Sequence, residues 1–298
     1  MSLLREEDLA LLADVQRMVA DSTAIAQDLV AARPAPGAAA DDPAQGDAGA
    51  ATRDAADDQP PAGAGVGEPC LVVTPLTQVT ATEIDWLWPG WLARGKLHLL
   101  GGHPGDGKST LLAALAAAAS RGRAWPDGHP QPTPLRSLFL LGEDAAGDTL
   151  KPRLALHDAE MAHVYTTAAI RDARGQERVF DVRQHLDLLE GALREHAIDL
   201  LVIDPLTTIL PGADRNAEGE IRDRLTPLVK LAERLGVAVV GIVHVGKSSD
   251  GRRAAQKILG ATAFVALARA VWMLAPDEVS PEGMVLGVVK SNLARKPP

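Results

Sequence analysis

The chain has 298 residues, 46% of them hydrophobic and 23% charged, with a formal net charge of −9 at pH 7, enough apolar material for one substantial core plus a tail. All of that charge sits in residues 1–70, which hold 13 acidic and 4 basic side chains, so the remainder is neutral and total charge does not argue against a local nucleic-acid surface. Cys70 is the only cysteine, which excludes an internal disulfide and a cysteine zinc site and suits a reducing cytoplasm.

No apolar run reaches the ~18 residues that span a bilayer, and Glu6, Glu7 and Asp8 stand where a secretory signal would be basic. Neither membrane insertion nor export is expected. With one Tyr, three Phe and five Trp, a base-stacking surface built of many aromatics is not expected either.

Residues 2–32 read as a helix with Leu4, Leu11, Val15, Met18, Ile25 and Leu29 at heptad-like spacing, interrupted at Asp8 and Ser22. Such a helix docks a partner, for instance a replication protein, or joins copies of this chain, or lies on its own protein. Residues 33–69 collapse to Ala, Pro, Gly and Asp without periodicity. Too little surface can be buried there to offset chain entropy, so this segment reads as a flexible linker, and residues 70–298 as the folded domain.

From Leu71 onward short apolar runs alternate with helical patterns, the signature of a mostly parallel sheet with crossover helices. Strands are expected near residues 96–100, 138–141, 200–203, 237–243, 270–274 and 285–289, and helices near 108–121, 145–156, 183–196 and 217–235. The tryptophans of the lead-in IDWLWPGWLARGKL, Trp86 and Trp88, read as packing anchors.

The first strand, KLHLL, runs into GHPGDGKST and then an Ala/Leu helix, which puts the pattern G-x-x-x-x-G-K-[ST] between a strand and a helix, as a phosphate-binding loop requires. Gly102, His103, Pro104, Gly105, Asp106 and Gly107 supply the turn, and the glycines let backbone N–H groups face an anion. Lys108 then meets the β and γ phosphates of ATP, and Ser109, followed by Thr110, offers a hydroxyl to Mg²⁺ at the helix N-terminus.

The strand SLFLL ends in GEDAAGDTLKPRL, which delivers Glu143 and Asp144 to the same edge. Glu143 is the candidate general base toward an attacking water, and Asp144 reads as a helix N-cap or a group behind it. Arg153 follows along the helix, as an adenine-stacking cation or a solvated one. The apolar run DLLVIDP reads as a buried strand ending at Asp204, which is expected in the Mg²⁺ shell. VAVVGIVH brings His244 to that edge as a candidate sensor of the γ-phosphate. Residues 246–257 then hold Lys247, Arg252, Arg253 and Lys257 against Asp250 alone, a +3 loop suited to the phosphodiester backbone of DNA.

In this order GHPGDGKST, LGEDAAGDTLKPRL, LLVIDPLTTIL, VGIVHVGKSS, ILGATAFVALARAVWML and VVKSNLA resemble the RecA-type ATPases of the plasmid RepA hexameric helicase family over roughly residues 71–296. The resemblance implies a RecA-like P-loop core with Lys108 and Ser109 on nucleotide and Mg²⁺, Glu143 as base, Asp204 on the metal and His244 as the sensor. It further implies Arg269 as an arginine finger reaching a neighbouring subunit, Lys290 as a second cation there, a homo-oligomer of hexameric type, single-stranded DNA as partner, and helicase activity in plasmid or phage replication. Members of that family continue past the KSNLA motif into at least one more strand, whereas this sequence stops at Pro298, so the sheet is expected to be incomplete at its C-terminal end. The alternatives are a RecA-type recombination or repair ATPase without processive unwinding, and an ATP-switched loading protein.

Overall fold

The computed structural model describes residues 71, 73–167, 169–172, 174–214, 217–245, 262–277 and 283–295. The helix expected over 2–32 and the linker expected over 33–69 lie outside them. The chain divides into two units, Met1–Ala81 and Thr82–Pro298. The described part of the first carries a short 3₁₀ turn, Leu76–Gln78.

The second unit opens with a short antiparallel pair, β1 (Trp86–Trp88) and β2 (Leu92–Ala93). It is followed by β3 (Leu97–Gly102), helix α1 (Lys108–Ser120) and β4 (Ser137–Leu141). A π-helical turn, Ala146–Leu150, runs into α2 (Lys151–Leu156), and β5 (Val164–Thr167) comes next. After the hairpin of β6 (Ile170–Arg171) and β7 (Glu177–Arg178) come α3 (Leu186–Glu195), β8 (Leu200–Asp204), α4 (Glu218–Leu235) and β9 (Ala238–His244). Helix α5 (Thr262–Leu267), β10 (Ala270–Pro276) and β11 (Met284–Ser291) close the described chain.

Seven strands form one sheet in the order β5-β4-β8-β9-β3-β10-β11. Every pair is parallel except β10 with β11. The six strands expected from apolar runs are all present. β5 is an addition: its VYTT sequence is only partly buried, so it lacks the continuous apolar run that marks a strand covered on both faces.

Successive side chains of a strand point to opposite faces, and two cores result. Leu97, Leu99, Leu138, Leu140, Leu201 and Ile203 face α3 and α4, where Leu189, Leu193, Ile221, Leu225 and Leu228 close the layer. Leu100, Phe139, Leu141, Leu200 and Val202 face α1 and α2, against Leu112, Leu115, Leu150 and Leu154. Alanines 113, 116, 117 and 119 of α1 are almost wholly buried, so this helix lies close on the sheet and fixes the loop before it.

Trp88 is 2% exposed and stacks between Trp91 and Trp125, with centroids 4.8 and 5.2 Å away. Trp272 meets Trp88 and Trp91 edge-on. The lead-in is thereby packed onto β10 by aromatic burial, and Trp88 is not available to stack on a base. Among the described residues, no helix is long and apolar enough to cross a membrane.

Candidate functional site

Four neighbouring parallel strands, β4, β8, β9 and β3, end at one edge of the sheet. The register sets Gly102 beside His244 and Leu141 beside Asp204. Residues far apart in sequence are therefore placed at adjacent strand ends, where open α/β sheets hold their ligands.

The loop after β3 is shaped by its glycines. Gly105 and Gly107 have φ of +90° and +85°, a region that side-chain-bearing residues rarely adopt. At Gly102 a Cβ would lie 2.9 Å from the Leu274 carbonyl oxygen and 3.2 Å from Lys108 Cδ. His103 N donates to Asp106 Oδ2 at 2.6 Å and Asp106 N to His103 O at 3.2 Å, a reciprocal pair that closes the turn, while Pro104 is exposed. Helix α1 begins at Lys108, so its first N–H groups open toward the loop's interior.

Lys108 is 4% exposed, and its Nζ donates to the carbonyls of Gly102 at 3.0 Å and His103 at 2.7 Å. Burial lowers the pKa of this ammonium, opposed by the charges of Asp106 and Asp204. Ser109 Oγ donates to Asp204 Oδ2 at 2.5 Å, and Thr110 is half-buried beside it. Burial raises the Asp204 carboxyl above its usual range; the Ser109 hydroxyl and His244 act against that, and Asp144 and Glu143 add to it. A cation at this point would relieve the carboxylate repulsion.

Among the described residues, no group of three or more His, Cys, Asp or Glu could hold a metal by itself. One hydroxyl and one carboxylate suit Mg²⁺, which keeps waters and takes further oxygens from substrate phosphates. The glycine cradle, the buried lysine and the Ser109–Asp204 pair thus fit a Mg²⁺–nucleotide.

Glu143 stands at the end of β4, mostly exposed, with Oε2 3.8 Å from Nε2 of His244 at the end of β9. Asp144 is not the N-cap expected: Ala145 occupies that position and no side chain caps the turn. Asp144 Oδ2 instead accepts from Arg153 Nη1 at 2.8 Å. Arg153 is therefore not a free surface cation; the ion pair tethers it beside the site.

Arg269 precedes β10, whose Ala270 pairs with His98, at the start of β3. It is exposed, level with Leu97, and lies about 17 Å along the strands from Gly102 at ~3.3 Å per residue, at the opposite edge of the sheet. Its guanidinium cannot meet a phosphate in its own loop. Lys290 is bound within its own chain, with Nζ donating to the carbonyls of Val265 at 2.7 Å and Ala268 at 2.9 Å. There it closes the end of α5, and burial, with Arg269 nearby, lowers its pKa. A reach into a neighbouring subunit would require Lys290 to give up both bonds. Lys247, Arg252, Arg253 and Lys257 lie outside the described residues.

Thr208 and Gly142 drew no notice in the sequence, yet the structure sets them against each other beside Glu143. The available signal was a glycine directly before a candidate catalytic carboxylate.

Among known sequences, the family described as AAA domain matches residues 70–250. The chain is 28% identical over 181 residues to the DNA repair protein RadA of Brucella abortus, covering 60% of this chain and 34% of that protein. It is 26% identical over 197 residues to RadA of Rickettsia typhi, 65% of this chain and 37% of that one. With RadA of Halalkalibacterium halodurans it shares 26% over 206 residues, 66% and 39%. The chain thus spans about a third of the length of these relatives.

Proposed function

Taking as premise that the chain belongs to the AAA domain family, with a RecA-like P-loop ATPase core, we propose that it hydrolyses ATP and acts on DNA in repair or recombination. The observation that carries this reading is the convergence of the phosphate loop, the Ser109–Asp204 pair and Glu143 at the ends of four adjacent strands. Similarity to DNA repair proteins over 60% and 65% of the chain supports the choice of repair over replication.

In this reading the backbone N–H groups of residues 102–109 and the Lys108 ammonium bind the phosphates. Ser109 and Asp204 would hold Mg²⁺, which when bound would supply charge stabilisation to the transferring phosphoryl group. Glu143 orients a water molecule and takes its proton. His244 joins Glu143 to the chain that continues directly into the basic loop, so that nucleotide state and DNA contact bear on each other. Arg269 serves the phosphate loop of a second copy, since its own loop is beyond reach.

ATPase rate with and without single-stranded DNA, run beside strand displacement, tests the proposal. Stimulation without unwinding is expected. Processive unwinding would favour the replicative helicase that the motif order resembles, and a rate indifferent to DNA would favour an ATP-switched loading protein.

A further inference from the structure

The last ladder bond of β4 runs from Gly142 N to Asp204 O at 2.8 Å, and Glu143 is the first residue beyond it. Asp204 leads into a 3₁₀ turn, Leu206–Ile209, whose Thr208 lies against Gly142. A Cβ at 142 would sit 1.7 Å from Thr208 Oγ1 and 2.5 Å from both its Cβ and its Cγ2. No φ restriction calls for glycine at 142; the space does. The side chain missing at 142 and the one present at 208 thus occupy a single volume, at the joint between the strand that carries Glu143 and the turn that follows Asp204.

We propose that Gly142 and Thr208 are positioning residues for the hydrolytic step: their contact sets the direction in which Glu143 leaves β4 relative to Asp204. This rests on the reading of Glu143 as general base. An alanine at 142 must push the two segments apart by roughly 1.5 Å to regain ordinary contact distance. Misplacement of a reacting group by about 1 Å can cost ~10²-fold in rate. The phosphate loop and Lys108 follow β3, which β9 and β8 separate from β4, so the phosphate cradle itself stands clear of the shift; Asp204, joined to Gly142 through its carbonyl and to Ser109 through its carboxylate, is the one binding group next to it, and nucleotide affinity is therefore read separately from turnover.

The test uses the full chain and compares Gly142→Ala, Thr208→Gly, the double variant and Glu143→Gln, reading nucleotide affinity with a fluorescent ATP analogue and turnover separately. Gly142→Ala should bind within about threefold of wild type and turn over ~10- to 100-fold more slowly. Thr208→Gly removes the three atoms nearest the new Cβ, all of them closer than ordinary contact, so the double variant should turn over at least about tenfold faster than Gly142→Ala alone, a rescue that a general packing defect would not give. If Gly142→Ala fails to fold, the double variant should still fold and hydrolyse.

Wild-type turnover by Gly142→Ala with binding intact overturns the proposal, as does a nucleotide-binding double variant no faster than the single. The underlying reading fails separately: a Glu143→Gln protein with wild-type turnover removes the base assignment, whereas an inactive Glu143→Gln beside a fully active Gly142→Ala removes only the positioning role.

Discussion

His98 lies within the strand that carries the phosphate loop, and its titration gives a stability change of calculable size. Its ring is fully buried and packs against Trp272 at 5.9 Å. Nε2 accepts the Ala93 N–H at 3.1 Å, so the ring proton sits on Nδ1, which faces the Val239 carbonyl oxygen at 3.2 Å. The burial of a ring that must stay neutral lowers the pKa from 6.5 to about 4, the carbonyls of Val239 and Lys96 opposing it. Below pH 6.5 the unfolded chain takes up a proton that the native state refuses. The contribution is therefore complete above 6.5 and is lost progressively as pH falls toward 4. Integrated to pH 5 the loss is about 2 kcal/mol, and the full shift corresponds to about 3 kcal/mol. Urea unfolding at pH 7.5 and pH 5.0 should show wild type losing about 2 kcal/mol more than His98→Gln, which cannot titrate there. Equal losses in the two proteins would refute the reasoning.

Lys108→Ala removes the only charge buried inside the phosphate loop, and titration with a fluorescent ATP analogue should show affinity lost by at least tenfold. Arg269→Ala should bind ATP normally yet hydrolyse it ~10³- to 10⁵-fold more slowly. Mixing it with Lys108→Ala should restore some activity, because mixed interfaces pair an intact loop with an intact arginine. No recovery, with subunit exchange shown by fluorescence transfer and a linear loss in a wild-type/Lys108→Ala titration, would remove the trans role. Neutralising Lys247, Arg252, Arg253 and Lys257 together should weaken single-stranded DNA binding and flatten its salt dependence, basal turnover staying intact; an unchanged slope would mean the loop does not touch phosphate.

The parts of the fold legible in the sequence were those where burial on both faces leaves a continuous apolar run. SLFLL and LLVID announce β4 and β8 together with the carboxylates they deliver, and the glycines of GHPGDGKST announce the loop. Edge and surface elements gave no such signal: β5 is half-buried, the β6–β7 hairpin pairs only two residues a strand, and α5 has six residues. Strand order was hidden as well, and with it the opposite-edge placement of Arg269, because register depends on pairing between distant segments. Side-chain partners were the least legible. Asp144 had the composition of an N-cap and Lys290 was expected beside a neighbouring subunit, but Arg153 pairs with the first and the carbonyls at the end of α5 bind the second. The contact of Gly142 with Thr208 joins positions 66 residues apart, beyond any local pattern.

The central claim, that ATP bound in this loop is hydrolysed with Glu143 as base, is tested most directly by following a single turnover of bound ATP in wild type and Glu143→Gln. The variant should bind ATP with wild-type affinity, since Glu143 is exposed and makes no hydrogen bond to the loop's described residues. Cleavage should slow by at least ~10²-fold, within the range that positioned general bases contribute. Equal cleavage rates with binding intact would contradict the account and move the base to another residue, with Asp144 the next to be substituted.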